Sequence, residues 1–222
     1  TSPKRPSAPD YQMEYVVEGV SFGMVKLPAG SFTMGISPDN RSAVKGGVAQ
    51  EVALDGFVIT EKPVSQALWT AVMGKNPNSK ESPDLPVDWV SWDNVMKFIS
   101  KLNKCTGKTF FLPTEAQWEY AINGLDGKGS SILGEWCFDP FSSAGGESET
   151  GYFNPSILLV NPAGPEKGDQ KVVRTYLNRI PLDRRTKQEK LGFRLVQPTG
   201  ETFPEQLLEV LNGNTVNRDP VD

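Results

Sequence analysis

Histidine is absent from all 222 residues, and this absence excludes more than any residue present suggests. Without imidazole there is no Ser-His-Asp or Cys-His relay, no histidine-bound zinc or iron, and no histidine switch near neutral pH. Cysteine is scarce. Cys105 and Cys137 are the only two, and they are either one disulfide or a buried thiol and a semi-exposed one. No run of about 18 apolar residues occurs, so nothing reads as a membrane-spanning helix. Positive charge is not in excess either. A formal net charge of −4 argues against a general nucleic-acid binder, whose affinity comes mainly from neutralising phosphates.

What is plentiful is turn chemistry. With 21 Gly and 18 Pro along the whole length, long helices are disfavoured and a loop-rich α+β domain is expected. A hydrophobic content of 37% is enough for one real core in a chain of this length. Residues 1–13 are polar and proline-rich and read as a flexible spacer. The expectation drawn from it is an exported protein, periplasmic or at the cell surface, with the spacer near a lipid anchor upstream. One domain over residues 14–198 follows, then a short helix and tail over 199–222. In that tail Leu207, Leu208 and Leu211 make an amphipathic stripe behind a capping box at Thr202–Glu205. Apart from the spacer, the one low-complexity stretch is Ser142 to Ser148.

Short strands open the domain, at Tyr15-Val16-Val17 and Gly23 to Leu27, closed by Pro28-Ala29-Gly30. Three helices follow. Ser65 starts the first, which buries Leu68, Trp69 and Val72 and stops at Gly74. Ser91 caps the second, whose Val95, Phe98, Ile99 and Leu102 fall at i, i+3, i+4 and i+7 and form one apolar stripe. Lys101 and Lys104 suit the negative end of its dipole, and Gly107 ends it. Thr114 and Gln117 make a capping box for the third, which enters from Pro113 and ends at Asn123-Gly124.

Several of these segments carry a family likeness. Pro28, Gly30, Phe32, Met34 and Gly35 fit a Pro-x-Gly-x-Phe-x-Met-Gly hairpin. They are followed by Leu54 to Ile59, by Leu85-Pro-Val-Asp-Trp-Val-Ser-Trp92, by Leu112-Pro-Thr-Glu-Ala-Gln-Trp-Glu-Tyr-Ala121, and by Gly192-Phe193-Arg194. In that order they resemble the formylglycine-generating enzyme family, the sulfatase-modifying-factor domain. The resemblance implies a C-type-lectin-like α+β fold, with a twisted antiparallel sheet and a few short helices. It also implies an enzyme that oxidises a sulfatase cysteine to formylglycine, using a cysteine pair that holds copper(I) just ahead of Gly-Phe-Arg. Soft thiolates are the right ligands for that ion.

Here the chain departs from the family. Val172 to Arg194 contains no cysteine, and Thr175 and Tyr176 stand where the family has glycines after Arg174. Only about a dozen residues separate Ala121 from Gly134, too few for the family's middle segment. Ile132 occupies the position of an asparagine calcium donor, leaving Glu135 as a possible remnant of a calcium site. No catalytic residue, metal or cofactor is therefore expected.

The expected function is a non-catalytic exported module that binds or assembles with a protein or glycan. The alternatives are a formylglycine-generating oxidase that brings Cys105 and Cys137 together, and a structural subunit of an envelope assembly docked through the C-terminal helix. Lys171 to Arg194 holds eight basic residues against two acidic ones. From it Arg174, Arg179, Arg184 and Arg185 are candidates to grip an anion, with Trp136 beside them, unless they pair with the domain's own acids. Trp89, Trp92 and Trp118 read as core rather than as a groove. Glu115 and Glu119 share a helix face, and dipole complementation accounts for Glu115.

Overall fold

Alternating side chains and a left-handed turn build the first hairpin. In the computed structural model, which describes residues 11–35, 49–125, 134–141, 157–164, 168 and 170–199, β1 (Tyr11–Val17) pairs antiparallel with β2 (Val20–Leu27). Glu18 and Gly19 both have positive φ, 48° and 78°. This is the two-residue geometry whose twist suits a hairpin. The strand begins at Tyr11, inside the stretch read as spacer. The expected C-terminal helix, Ser142 to Ser148, and Ile132 lie outside the described residues.

The Pro28 to Gly35 segment forms β3 (Gly30–Met34), paired antiparallel with β4 (Gln50–Leu54). A side chain at Gly30 would place its Cβ 2.5 Å from the Tyr120 hydroxyl oxygen, and that hydroxyl donates to the Pro28 carbonyl at 3.1 Å. Glycine is therefore required by close approach. β5 (Phe57–Thr60) is buried along its whole length.

The three helices are α1 (Gln66–Met73), α2 (Trp92–Thr106) and α3 (Glu115–Gly124). Ser65, Ser91 and Thr114 cap them as expected. Ser91 forms a capping box with Asn94, a pairing the sequence reading passed over, and Thr114 forms one with Gln117. Gly74 and Gly107 close the first two in the left-handed conformation, which glycine adopts without penalty.

The later strands are β6 (Gly134–Pro140), β7 (Leu159–Val160), β8 (Gln170–Arg174), β9 (Arg179–Asp183), β10 (Leu191–Gly192) and β11 (Val196–Pro198). Among the described residues they complete three sheets, ordered β1-β2-β5-β11, β10-β6-β8-β9 and β3-β4-β7. The architecture is the expected loop-rich α+β domain with curled antiparallel sheets. Two pairings are parallel, β4 with β7 and β6 with β10. In both, long intervening chain removes the constraint that a hairpin would impose.

The stripe of α2 is fully inside: Val95, Phe98, Ile99 and Leu102 are all buried. Phe98 stacks on Trp69 with centroids 5.1 Å apart and meets Phe193 edge-on at 5.4 Å. Phe193 belongs to the Gly-Phe-Arg motif, so this aromatic trio joins two helices to the C-terminal strands. Truncating Phe98 to Ala should lower unfolding free energy by about 3–5 kcal/mol, read by denaturant titration. A midpoint equal to wild type would contradict this packing.

Candidate functional site

α3 is buried on almost every face, including its acids. Glu115 and Glu119 are 1% and 2% exposed, a position no carboxylate holds without partners. The partners come from β8 and β9. Arg174 and Arg179 sit directly opposite each other in that ladder, an arrangement that is unfavourable for like charges unless an anion lies between them. Glu115 fills that place. Its Oε1 accepts from Arg174 Nη1 at 2.9 Å, and both its oxygens accept from Arg179 Nε at 2.9 and 2.8 Å. Glu119 Oε2 lies 2.7 Å from Arg174 Nη1, and its Oε1 accepts from the Gly35 backbone N–H at 2.7 Å. Arg174 also lies over Trp118 and Arg179 over Phe141. Burial works against the Arg174 charge, but Glu119 and Glu115 outweigh it and hold its pKa above the ordinary arginine range.

Glu115 stands in the first turn of α3, where an acid complements the dipole, and the two arginines add to that account. Asp139 supports the same end, its Oδ2 accepting from the Glu115 N–H at 2.6 Å.

A second buried pair joins β6 to the Gly-Phe-Arg segment. Arg194 Nε donates to both oxygens of Glu135, at 3.2 and 2.9 Å, and its Nη1 donates to the carbonyls of Thr60 and Glu61. Trp118 Nε1 donates to Glu135 Oε2 at 2.9 Å. Trp136 is fully buried and donates to the Val90 carbonyl at 2.9 Å, while Trp92 donates to the Cys137 carbonyl at 3.1 Å. The Trp-Glu-Tyr-Ala, Glu-Trp and Gly-Phe-Arg motifs thus bond to one another inside the domain. They specify a scaffold.

Of the five candidate ligand contacts, the structure leaves two at the surface. Arg174, Arg179 and Trp136 are buried and engaged internally, so the expectation that they grip a ligand is corrected. Charge compensation within the core claims the arginines, and close packing claims the indole. Arg184 and Arg185 remain accessible, paired with Asp93 and Asp183. The reading of Trp92 and Trp118 as core holds, whereas Trp89 is 44% exposed. Its φ of 58° turns the side chain outward between buried Val87 and Val90. No sequence pattern signals a left-handed tryptophan.

Neither metal suggested by the family resemblance fits these residues. Cys137 is buried and Cys105 exposed, and both are free thiols. Burial, reinforced by the carboxylates of Asp139, Glu115 and Glu135, pushes the Cys137 thiol well above its ordinary range. A protonated, enclosed thiol without a second sulfur is a poor copper(I) ligand. Where the family has glycines after Arg174, this chain makes the tight turn Thr175–Asn178, closed by Thr175 N–H donating to the Asn178 carbonyl at 2.9 Å, and no sulfur follows between it and Gly192. As for calcium, Glu135 has both oxygens occupied by Arg194 and Trp118, which makes it a counter-ion rather than an available donor. No group of three His, Cys, Asp or Glu that could hold a metal occurs among the described residues. A groove of about 420 Å³ lies elsewhere, between the β1–β2 turn and α1, lined in part by Glu18, Gln66, Thr70, Asn76 and Glu81.

Comparison with known proteins agrees with the motifs. The model of the sulfatase-modifying factor enzyme 1-like domain matches residues 18–132. The chain belongs to this sulfatase-modifying-factor family. It is 25% identical over 157 residues to the inactive C-alpha-formylglycine-generating enzyme 2 of Bos taurus, covering 48% of this chain and 50% of that protein. It is 35% identical over 81 residues to the Bos taurus formylglycine-generating enzyme, covering 36% of this chain and 19% of that one. The chain therefore spans half or less of the length of these relatives. In fold, this sulfatase-modifying-factor domain matches variable protein 1 of Treponema denticola, with a TM-score of 0.67, 20% identity, and 83% and 98% of the two chains covered. PvdO from Pseudomonas aeruginosa matches with a TM-score of 0.60, 19% identity, and 86% and 98% covered.

The two classes of arginine should separate on truncation. Arg174→Ala leaves buried carboxylates uncompensated and should lower stability by about 3–5 kcal/mol. Arg184→Ala breaks a pair 37% and 27% exposed, which solvent screens to within about 1 kcal/mol. Equal losses in a denaturant series would contradict the assignment. Lys171 gives a pH test. Its ammonium donates to the Phe138 carbonyl and lies 4.2 Å from the Trp92 ring centroid. Burial lowers its pKa to about 8, against an ordinary 10.5, with Asp139 raising it and Arg184 lowering it further. Between those two values the unfolded chain holds a proton that the folded chain has released, so this group makes stability rise with pH there. An NMR titration of the Lys171 side chain should show a midpoint near 8; an ordinary lysine midpoint would contradict the burial argument.

Proposed function

We propose that this chain is a non-catalytic member of its family, an exported module that binds or assembles with a protein or glycan through its surface loops. The observation that carries the reading is the segment from Val172 to Phe193. It contains no sulfur, folds into β8, a tight turn and β9, and turns its two buried arginines inward onto Glu115. The family's oxidation needs soft thiolates that are open to substrate. Cys137 is buried and held protonated, and Cys105 is exposed. A relative whose own name calls it inactive makes loss of the reaction a known outcome within the family. Export rests on the polar, proline-rich first residues and on family habit. Cell fractionation tests it, and a strictly cytosolic signal would count against it.

The catalytic arm is tested by incubating the full chain with copper(I), oxygen and a sulfatase-motif peptide, then measuring the peptide mass. The cysteine peptide should remain unconverted. Conversion to the aldehyde that disappears in Cys137→Ser would contradict the reading.

A further inference from the structure

We propose that Trp89 and the loop of residues 184–190 form a binding site for an anionic saccharide, one carrying carboxylate or sulfate groups. This rests on the binding-module reading and names its ligand class. The other four tryptophans, Trp69, Trp92, Trp118 and Trp136, are 4% exposed or less, whereas Trp89 is 44% exposed. It is also held in a conformation that a bulky residue avoids, with φ at 58°, and Lys190 across the junction has φ at 60°. Backbone conformations of this kind persist only where surrounding bonds impose them, and they collect at ligand sites.

The imposing bonds are present. Asp88 N–H donates to Asn78 Oδ1 at 3.1 Å, and Asn78 Nδ2 returns a bond to Asp88 Oδ1 at 2.7 Å. Asp88 Oδ2 accepts from the Lys190 N–H at 2.9 Å, and the Trp89 N–H donates to the Gln188 carbonyl at 3.1 Å. At the next residue, the Val90 carbonyl accepts from Trp136. The backbone that carries the ring is thus held in place, which lowers the ordering entropy that opposes binding.

The ligand class follows from shape and charge. A flat indole at the surface suits the C–H face of a sugar ring, whose polarised hydrogens meet the negative π face. Residues 184–190 contain Arg184, Arg185, Lys187 and Lys190 against Glu189 alone, in a chain of net charge −4. Asp93 and Asp183 hold Arg184 and Arg185 in place, while Lys187 and Lys190 are exposed. With Arg184 and Arg185 engaged by those acids, Lys187 and Lys190 are the cations left to an anion, and a single exposed aromatic lacks the broad apolar centre of a protein interface.

The test titrates the full chain with a heparin-derived hexasaccharide, with neutral cellohexaose, and with a polyglutamate peptide. Trp89 is the exposed indole of the five, so the part of a change in tryptophan emission that is lost in Trp89→Ala reports on it. The sulfated sugar should shift the emission and bind more weakly as salt rises. Trp89→Ala should lower its affinity at least tenfold by calorimetry with Tm little changed, because alanine keeps the Cβ that the left-handed backbone strains. Lys187→Ala combined with Lys190→Ala should weaken it several-fold without loss of Tm. Unchanged affinity in Trp89→Ala, equal binding of cellohexaose, or tighter binding of polyglutamate would each overturn the proposal. Binding of none of the three would overturn it too, while leaving the non-catalytic reading to stand or fall on the sulfatase-peptide assay.

Discussion

The bonding of Glu115 to two arginines is the constraint around which the rest of this domain is arranged. Removing charges from water costs several kcal/mol per ion, and the low-dielectric interior offsets that only where geometry and hydrogen bonding are nearly complete. Glu115 reaches completeness by drawing Arg174 from β8 and Arg179 from β9 onto one carboxylate, while Arg174 also serves Glu119. The register of β8 on β9 must therefore be kept, since a one-residue slip of β9 would turn Arg179 to the opposite face, away from Glu115. α3 must likewise present its first turn to the sheet, which Asp139 secures from β6 by accepting the Glu115 N–H.

This constraint also explains how a chain can keep the family motifs without the family's sulfur. Glu135 with Arg194, Trp118 with Glu135, and Trp136 with Val90 are bonds within the scaffold. None of them needs the cysteine pair. The turn after Arg174 is free to change once chemistry no longer depends on it, and here it is closed by Thr175 and Asn178. What faces water is a different set of residues: Trp89, Arg184, Arg185, Lys187 and Lys190. Buried arginines compensated in the core and accessible cations at the surface are thereby divided between two parts of the same basic segment.

Much of the fold was legible because its signals are local. Ser65, Ser91 and Thr114 announce helix starts through their own side chains, and the α2 stripe declares its buried face by spacing alone. The candidate site was legible only in part. Arg174 and Arg185 look alike in sequence, and what separates them is the partner: one meets α3 across the chain, the other a carboxylate two residues away. Trp89 resisted reading for a different reason. Its exposure depends on a left-handed backbone set by Asp88, Asn78 and the 188–190 segment, and contacts about a hundred positions apart in sequence leave no local pattern. The two parallel pairings were equally hidden, because strands of two residues carry almost no periodicity.

The most direct test of the buried frame is a double-mutant cycle on Glu115→Gln and Arg179→Met, followed by equilibrium unfolding at neutral pH and fixed salt. If the pair holds β9 onto α3 as a compensated buried ion pair, each single change should be severe and the double change much milder than their sum. The coupling energy should then be on the order of 2–3 kcal/mol. A coupling below about 0.5 kcal/mol, the level expected of independent sites, would show that the two residues do not neutralise each other. The arginines of this segment would then have to be reconsidered as ligand contacts.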